Sequence, residues 1–320
     1  MTILNTNLGV LLDNIIMEAP VKVSNLDTIK IENLQDGHKA DAVESAWVQL
    51  QQDIFHFFKA KKGTANMMEL IATFAEQINF LNENIEAKDI SYKMEGKYIK
   101  AYFRKQRIAQ LSTYNAKLLP NSKGEGFLLW SVLGHITCNG KTKICSGFCY
   151  NNSKSFDKNL ALKIDCLILS LLDVFVPVME KMIQFTPHQK TYVRIHEDGD
   201  FYSNEYFEKW MQIAKNNPKF EFEAYTKEPT LLEKINEINA SQKNMLLRFS
   251  IMEDTNADVV KYVKENNIHS YIALGENTAD KKASKVFEYI PVANRCLMSC
   301  QLCKKCYKKS SVMVFTKLHK

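Results

Sequence analysis

Seven of the eight cysteines fall into two tight groups: Cys138, Cys145 and Cys149, and then Cys296, Cys300, Cys303 and Cys306. Thiolates spaced this closely in a reducing compartment read as metal ligands or redox centres rather than as disulfide partners. The first group, C-x6-C-x3-C, puts three sulfurs on one loop with mostly small or polar residues between them. Three ligands leave one position open. A zinc ion there would need His135 or His196 to complete its tetrahedron, whereas a 4Fe-4S cluster would keep one iron free for a substrate or cofactor. The second group, C-x3-C-x2-C-x2-C, supplies four ligands unaided, in a spacing closer to ferredoxin-type runs than to two separated zinc knuckles. Zinc remains the alternative at both places. Cys166, in the apolar run IDCLILSLL, reads as a core residue.

A second concentration of chemistry is His196-Glu197-Asp198-Gly199-Asp200. Carboxylates here can accept from a ligand ammonium, coordinate a divalent ion or exchange protons, and Gly199 permits a close backbone approach. His196, Asp198, Asp200 and Lys227 are the candidate catalytic groups. Lys227 can pair with an anionic substrate group or form a surface salt bridge with Glu228.

These residues need elements to position them. Ala42 to Ala60 and Met67 to Ile85 carry apolar residues at helical spacing and read as a helical hairpin, and Ile90 to Phe103 as a β-ribbon turning at Glu95-Gly96. From about residue 124, strands and helices alternate. Phe127–Ile136, Thr191–Ile195, Phe220–Thr226, Met245–Ile251 and Tyr271–Leu274 read as strands, with Val286–Ile290 as a sixth. The expected helices are one long helix within Ser155–Phe185, then Asn204–Asn216, Thr230–Ile238 and Ala257–Glu265. One helix per strand implies right-handed βαβ crossovers and a parallel sheet. A closed barrel takes about 250 residues, so the expectation is an α/β fold with a partial parallel (βα)5–6 barrel. Residues 1–120 form a mainly helical N-terminal extension, 121–291 the barrel with its cysteine triad, and 292–320 a basic four-cysteine segment. The chemistry-bearing residues all follow strand ends, where such sheets place their sites.

The balance of +6 is uneven: from Lys281 onward ten basic residues meet one acid, a local +9, and the rest of the chain stands at −3. That segment suits an anionic partner such as nucleic acid. Neither GxGxxG nor GxxxxGK[ST] occurs, so no glycine-rich phosphate loop is expected. The opening MTILNTNLGVLLDNII lacks a basic n-region and a small-residue cleavage site, and Ile164–Val178, interrupted by acids, falls short of the roughly 20 residues of a membrane span. A cytoplasmic protein with no membrane segment is expected.

The tri-cysteine loop ending Phe148-Cys149-Tyr150, followed one strand later by Glu197-Asp198-Gly199-Asp200, resembles the radical SAM superfamily. The span from TCNGKTKICSGFCY through RIHEDGDFYSNEYFEKW and FEFEAYTKEP to CLMSCQLCKKC is similar to the phage and plasmid gene product eighty-eight family. The resemblance implies that Cys138, Cys145 and Cys149 ligate a 4Fe-4S cluster whose open iron binds S-adenosylmethionine. It places Glu197, Asp198, Gly199 and Asp200 near the methionyl ammonium, Ser250 or Glu253 near the ribose, and an auxiliary cluster on the last four cysteines. An electron donor would then be a partner, and a nucleic acid or nucleotide the substrate. Two other readings stand beside it. One is a zinc-stabilised nucleic-acid-binding or replication protein. The other is a divalent-metal nuclease using HEDGD.

Overall fold

In a computed structural model of the chain, the structure describes residues 36–61, 64, 66–113, 125–147, 149, 156–186, 190–274 and 313–317. The chain divides into two compact units, residues 1–41 and 42–320; the sheet and the candidate site belong to the second.

Helix α1 (Asp36–Lys61) buries Val43, Trp47, Leu50, Ile54 and Phe58, an apolar stripe at helical spacing. The single helix expected next is broken into α2 (Met67–Thr73) and α3 (Ala75–Asn84), because Phe74 leaves helical geometry at φ −114° and ψ 20°. The Thr73 hydroxyl donates to the Glu69 carbonyl at 2.7 Å just before the break, a back-bond that bends helices. Strands β1 (Ile90–Glu95) and β2 (Tyr98–Phe103) form the expected ribbon, with Gly96 at φ +59° in a two-residue turn. A third strand, β3 (Gln106–Ser112), extends it antiparallel.

The ribbon continues into the main sheet. β3 meets β4 (Glu125–Ser131) through the pair Ser112 and Leu129. From there β5 (Lys190–Asp198), β6 (Glu221–Thr226), β7 (Met245–Ile251), β8 (Ser270–Leu274) and β9 (Met313–Lys317) add in parallel. The nine described strands lie side by side in chain order. Parallel neighbours in chain order, joined by right-handed crossovers, wind in one direction and keep their helices on one face.

The result is a mixed α/β architecture with an open sheet. No pairing joins β9 back to β1, so the described strands do not close into a barrel. The meander from residue 90 to 112 is part of this same sheet. The expected strand Val286–Ile290 lies outside the described residues, and β9 was not anticipated.

Two further differences have local causes. The helix expected across Ser155–Phe185 is two: α5 (Phe156–Leu171) and α6 (Phe175–Gln184), with Pro177 in the first turn of α6. Proline has no amide to continue the preceding helix and is tolerated only at a helix start. The strand expected to run to Ile136 ends at Ser131, where the chain turns into the cysteine loop. Helices α7 (Asn204–Asn216), α8 (Leu232–Ser241) and α9 (Ala257–Glu265) complete the crossovers.

The helix side of the sheet is an aromatic core. Trp130 of β4 lies 6.1 Å from Trp210 of α7, and Phe175 of α6 lies 5.5 Å from Trp210 between ring centroids. The helical leader is fixed to this unit by buried Asp165 of α5. Its carboxylate accepts from Trp47 Nε1 at 3.0 Å, Gln51 Nε2 at 2.6 Å, and Arg107 Nη2 at 2.9 Å and Nε at 3.2 Å.

Candidate functional site

Every rim loop of the parallel sheet starts at the carboxyl end of a strand, so the groups after β4, β5, β6 and β7 are brought together by register alone. After β4 the chain turns through His135, at φ +66°, into buried Thr137 and then Cys138. Asn139 Nδ2 donates to the Tyr202 carbonyl at 3.2 Å, and Lys141 Nζ to the His135 carbonyl at 2.7 Å. Gly140 lies so close to the end of β6 that a Cβ there would stand 1.8 Å from the Lys227 carbonyl oxygen. The loop then enters a one-turn helix, α4 (Lys143–Gly147). Thr142 Oγ1 accepts from the Cys145 amide at 3.1 Å, and Asp254, beyond β7, accepts from the Ile144 amide at 2.8 Å.

Cys138, Cys145 and Cys149 are not joined in disulfides and are partly exposed. Burial of the Cys138 thiol pushes it well above the ordinary range, helped by the nearby Asp200 and Asp198 charges and, more weakly, by Cys145. Among the described residues, no group of three His, Cys, Asp or Glu side chains is close enough together to hold a metal ion. The loop thus carries its thiols to one rim without assembling them into a ligand set. Cys296, Cys300, Cys303 and Cys306 lie outside the described residues. Cys166 is buried, as expected, and burial raises its thiol to about 12.

After β5 the roles of the acidic motif separate. Between Leu129–Arg194 and Ser131–Asp198, β4 advances two residues and β5 four, a bulge that holds His196 at φ +63°. His196 turns into the core, not toward the rim. Nε2 is 3.0 Å from the Tyr206 hydroxyl, the ring packs edge-on against Phe201 at 4.6 Å, and burial lowers its pKa to about 3. The neutral imidazole is packed among the rings of Phe201 and Tyr206 in the aromatic core. Glu197 is exposed. Asp198 forms an ion pair with Lys163 of α5 and accepts from the Gly199 amide at 3.0 Å.

Asp200 is a brace. One oxygen accepts from the Phe201 amide at 2.7 Å, and the other from the Lys227 amide at 2.8 Å. Its own amide donates to Thr137 Oγ1 at 3.3 Å, which ties the loops after β4, β5 and β6 together. Burial raises its carboxyl to about 6 even though the Lys227 amide and Thr226 hydroxyl favour the charged form. Gly199, at φ +91°, passes so close to β4 that a Cβ would lie 2.4 Å from Val132 Cγ2. Its expected backbone role holds, although the partner is the β4 loop.

Lys227 and Ser250 share a cavity of about 440 Å³ at the rim, bounded also by Gly140, Lys141, Lys143 and Asp254. The salt bridge considered between Lys227 and Glu228 is absent; Glu228 instead accepts from the Thr230 amide at 3.2 Å and the Thr230 hydroxyl at 2.9 Å. Glu253 is half-buried and does not line that cavity.

Sequence reasoning missed three charged residues at the centres of otherwise apolar strands. Register sets Arg194 of β5 beside Glu223 of β6, and Tyr225 beside Arg248 of β7. Glu223 and Arg248 are buried, and the Arg194 guanidinium lies 5.0 Å from the centroid of the Tyr225 ring, which in turn packs on Tyr271 at 4.8 Å. The signal was present as a lone arginine within TYVRI and MLLRFSI and two glutamates within FEFEAYT. Thr137, Gly140 and Asp254, which pin the cysteine loop, had no comparable signal, because their roles depend on neighbours distant in sequence.

The fold and site define an α/β protein whose parallel strands bring ionisable groups and the cysteine loop to one rim. The chain belongs to the gene product 88 family, which it matches over residues 99–309, from β2 through the cysteine-rich segment. It is similar to the Gene 88 protein of Mycobacterium phage L5, with 34% identity over 105 residues, 32% of this chain and 39% of that protein. No solved structure matches this chain.

Proposed function

We propose that this protein is an iron-sulfur enzyme of radical SAM type acting on a nucleic acid or nucleotide. The observation that carries the reading is the cysteine loop. Its three cysteines follow the carboxyl end of β4, on a loop anchored by Thr137, Gly140 and Asp254. The singly wound order of β4 to β9 suits the wall of a partial barrel.

Three cysteines on one loop match in number the protein ligands of a cluster with one open iron, although the described side chains are not gathered into a ligand set. Cys138 has a desolvated thiol beside two aspartates and so stays protonated by itself, and a bound metal supplies the positive charge that its thiolate needs. Cys138, Cys145 and Cys149 would hold the cluster. With S-adenosylmethionine on the open iron, it would supply reductive cleavage of the sulfonium and hydrogen abstraction from substrate. The protein's own contribution is positional. Asp200 keeps the loops after β4, β5 and β6 in register, and Gly140 and Gly199 allow the backbones to close together. Asp198 holds Lys163 against the β5 rim, and Ser250 offers a hydroxyl to the rim cavity. Cys296, Cys300, Cys303 and Cys306 would hold a second, auxiliary cluster.

The nuclease reading has less to draw on, because Asp198 is engaged by Lys163 and both oxygens of Asp200 accept backbone amides. Anaerobic purification tests the proposal. Iron and sulfide with broad absorbance near about 400 nm are expected, and Cys149→Ala should lower the iron content by about half if each cysteine group holds one cluster. Colourless, folded protein with stoichiometric zinc would overturn it in favour of a zinc-stabilised nucleic-acid-binding protein.

A further inference from the structure

The rim cavity has a charge and shape that the cluster reading does not explain. We propose that it binds a phosphate-bearing ligand of nucleotide size. Three ammonium groups border it, Lys141, Lys143 and Lys227, against one carboxylate, Asp254, which already accepts the Ile144 amide. Lys143 and Lys227 form no salt bridge among the described residues. Lys141 donates to a main-chain carbonyl, which leaves its charge unneutralised. The first turn of α9, capped by Asn256 and nine residues long, also borders the cavity and adds the positive end of its dipole. Three ammonium groups against the Asp254 carboxylate, with Asp258 in the first turn of α9, leave an excess of positive charge that favours an anionic over a cationic ligand.

Size and chemistry narrow the class. At about 440 Å³ the cavity is larger than a free phosphate needs and falls within the range of small-molecule sites. The lining includes the hydroxyl residues Ser250 and Thr255 and the apolar residues Phe249 and Val259, the latter suited to a base or sugar face. The site gives the substrate of the reading above a chemical class, yet it stands without the cluster, because none of its lining groups is a cysteine.

The test is calorimetric titration of the full chain, purified anaerobically, with its iron content measured on the same sample. The probes are inorganic phosphate, a nucleoside monophosphate, the matching nucleoside, and an oligonucleotide of about ten nucleotides with or without a 5′-phosphate. The monophosphate should bind at least about tenfold more tightly than the nucleoside. Lys227→Ala and, at an exposed position that leaves the fold undisturbed, Lys143→Gln should each weaken it about tenfold. Lys93→Ala, on the edge strand β1 at the other end of the sheet order, should not. Binding of the monophosphate identifies a free nucleotide, whereas binding confined to the oligonucleotide and sensitive to the same lysines identifies a strand. Equal affinity for nucleoside and monophosphate, no binding of any phosphate probe, or indifference to both lysine substitutions overturns the proposal. Phosphate binding by iron-free protein would sustain it while removing the cluster reading.

Discussion

His196 shows how little a residue's chemistry says until its surroundings are known. In the sequence it is an ionisable group at the head of an acidic motif; in the fold, burial holds its pKa near about 3 against an ordinary 6.5. The folded protein keeps the ring neutral while the unfolded chain protonates it below about 6.5. Its contribution is therefore present above that pH and lost as the pH falls toward 3. Asp165 and Asp200, both raised from 3.8 to about 6, act in the opposite sense, since the folded state holds their protons and gains stability as the pH falls through that window. Comparing wild type with His196→Gln by urea unfolding at pH 7 and pH 5 isolates the histidine. The stability difference in favour of wild type should shrink by about 2 kcal/mol at the lower pH. An unchanged difference would show that His196 is not buried neutral. A second residue-scale outcome concerns Gly199. Ala at φ +91°, with its Cβ 2.4 Å from Val132, should cost about 1–3 kcal/mol, readable as a lowered urea midpoint with unchanged slope.

Elements here are joined by a few polar knots. The leader helix α1 and strand β3 meet α5 through the Asp165 carboxylate, whose removal leaves Trp47, Gln51 and Arg107 without their acceptor. Asp165→Ala should destabilise the fold by about 3 kcal/mol, whereas trimming the exposed ion pair of Lys234 and Glu208 should cost under about 1 kcal/mol. Equal midpoints for the two variants in chemical denaturation would refute that ranking. The cysteine loop is held by the contact of Gly140 with the end of β6. Gly140→Ala should displace the loop, lower iron retention after anaerobic reconstitution, and leave the far-UV spectrum intact. Retention equal to wild type would mean that the loop does not need that contact. The helix Asn204–Asn216 and the strand Met245–Ile251 were legible to the residue because each is a strong period bounded by clear turns. The breaks at Phe74 and Val174 were less so, since the helical period runs on across both.

Across the whole molecule, β4 to β8 are flanked by strands on both sides and β1 is an edge with four of its six residues at least mostly exposed. Hydrogen exchange should therefore be slowest in β7, where every residue is buried, and fastest in β1; the reverse order would contradict this sheet order. No described helix is long and apolar enough to cross a membrane. By itself the sequence determined the α/β class, the parallel order of the later strands, the placement of chemistry after strand ends and the close spacing of seven cysteines in two groups. Each of these follows from local periodicity or spacing. Only the tertiary structure decided that His196 faces the core, that Asp200 braces three loops, and that Arg194, Glu223 and Arg248 lie on adjacent strands. Those outcomes depend on strand register and on contacts between residues far apart in the chain, and a bulge that turns one histidine inward leaves no trace in composition or period.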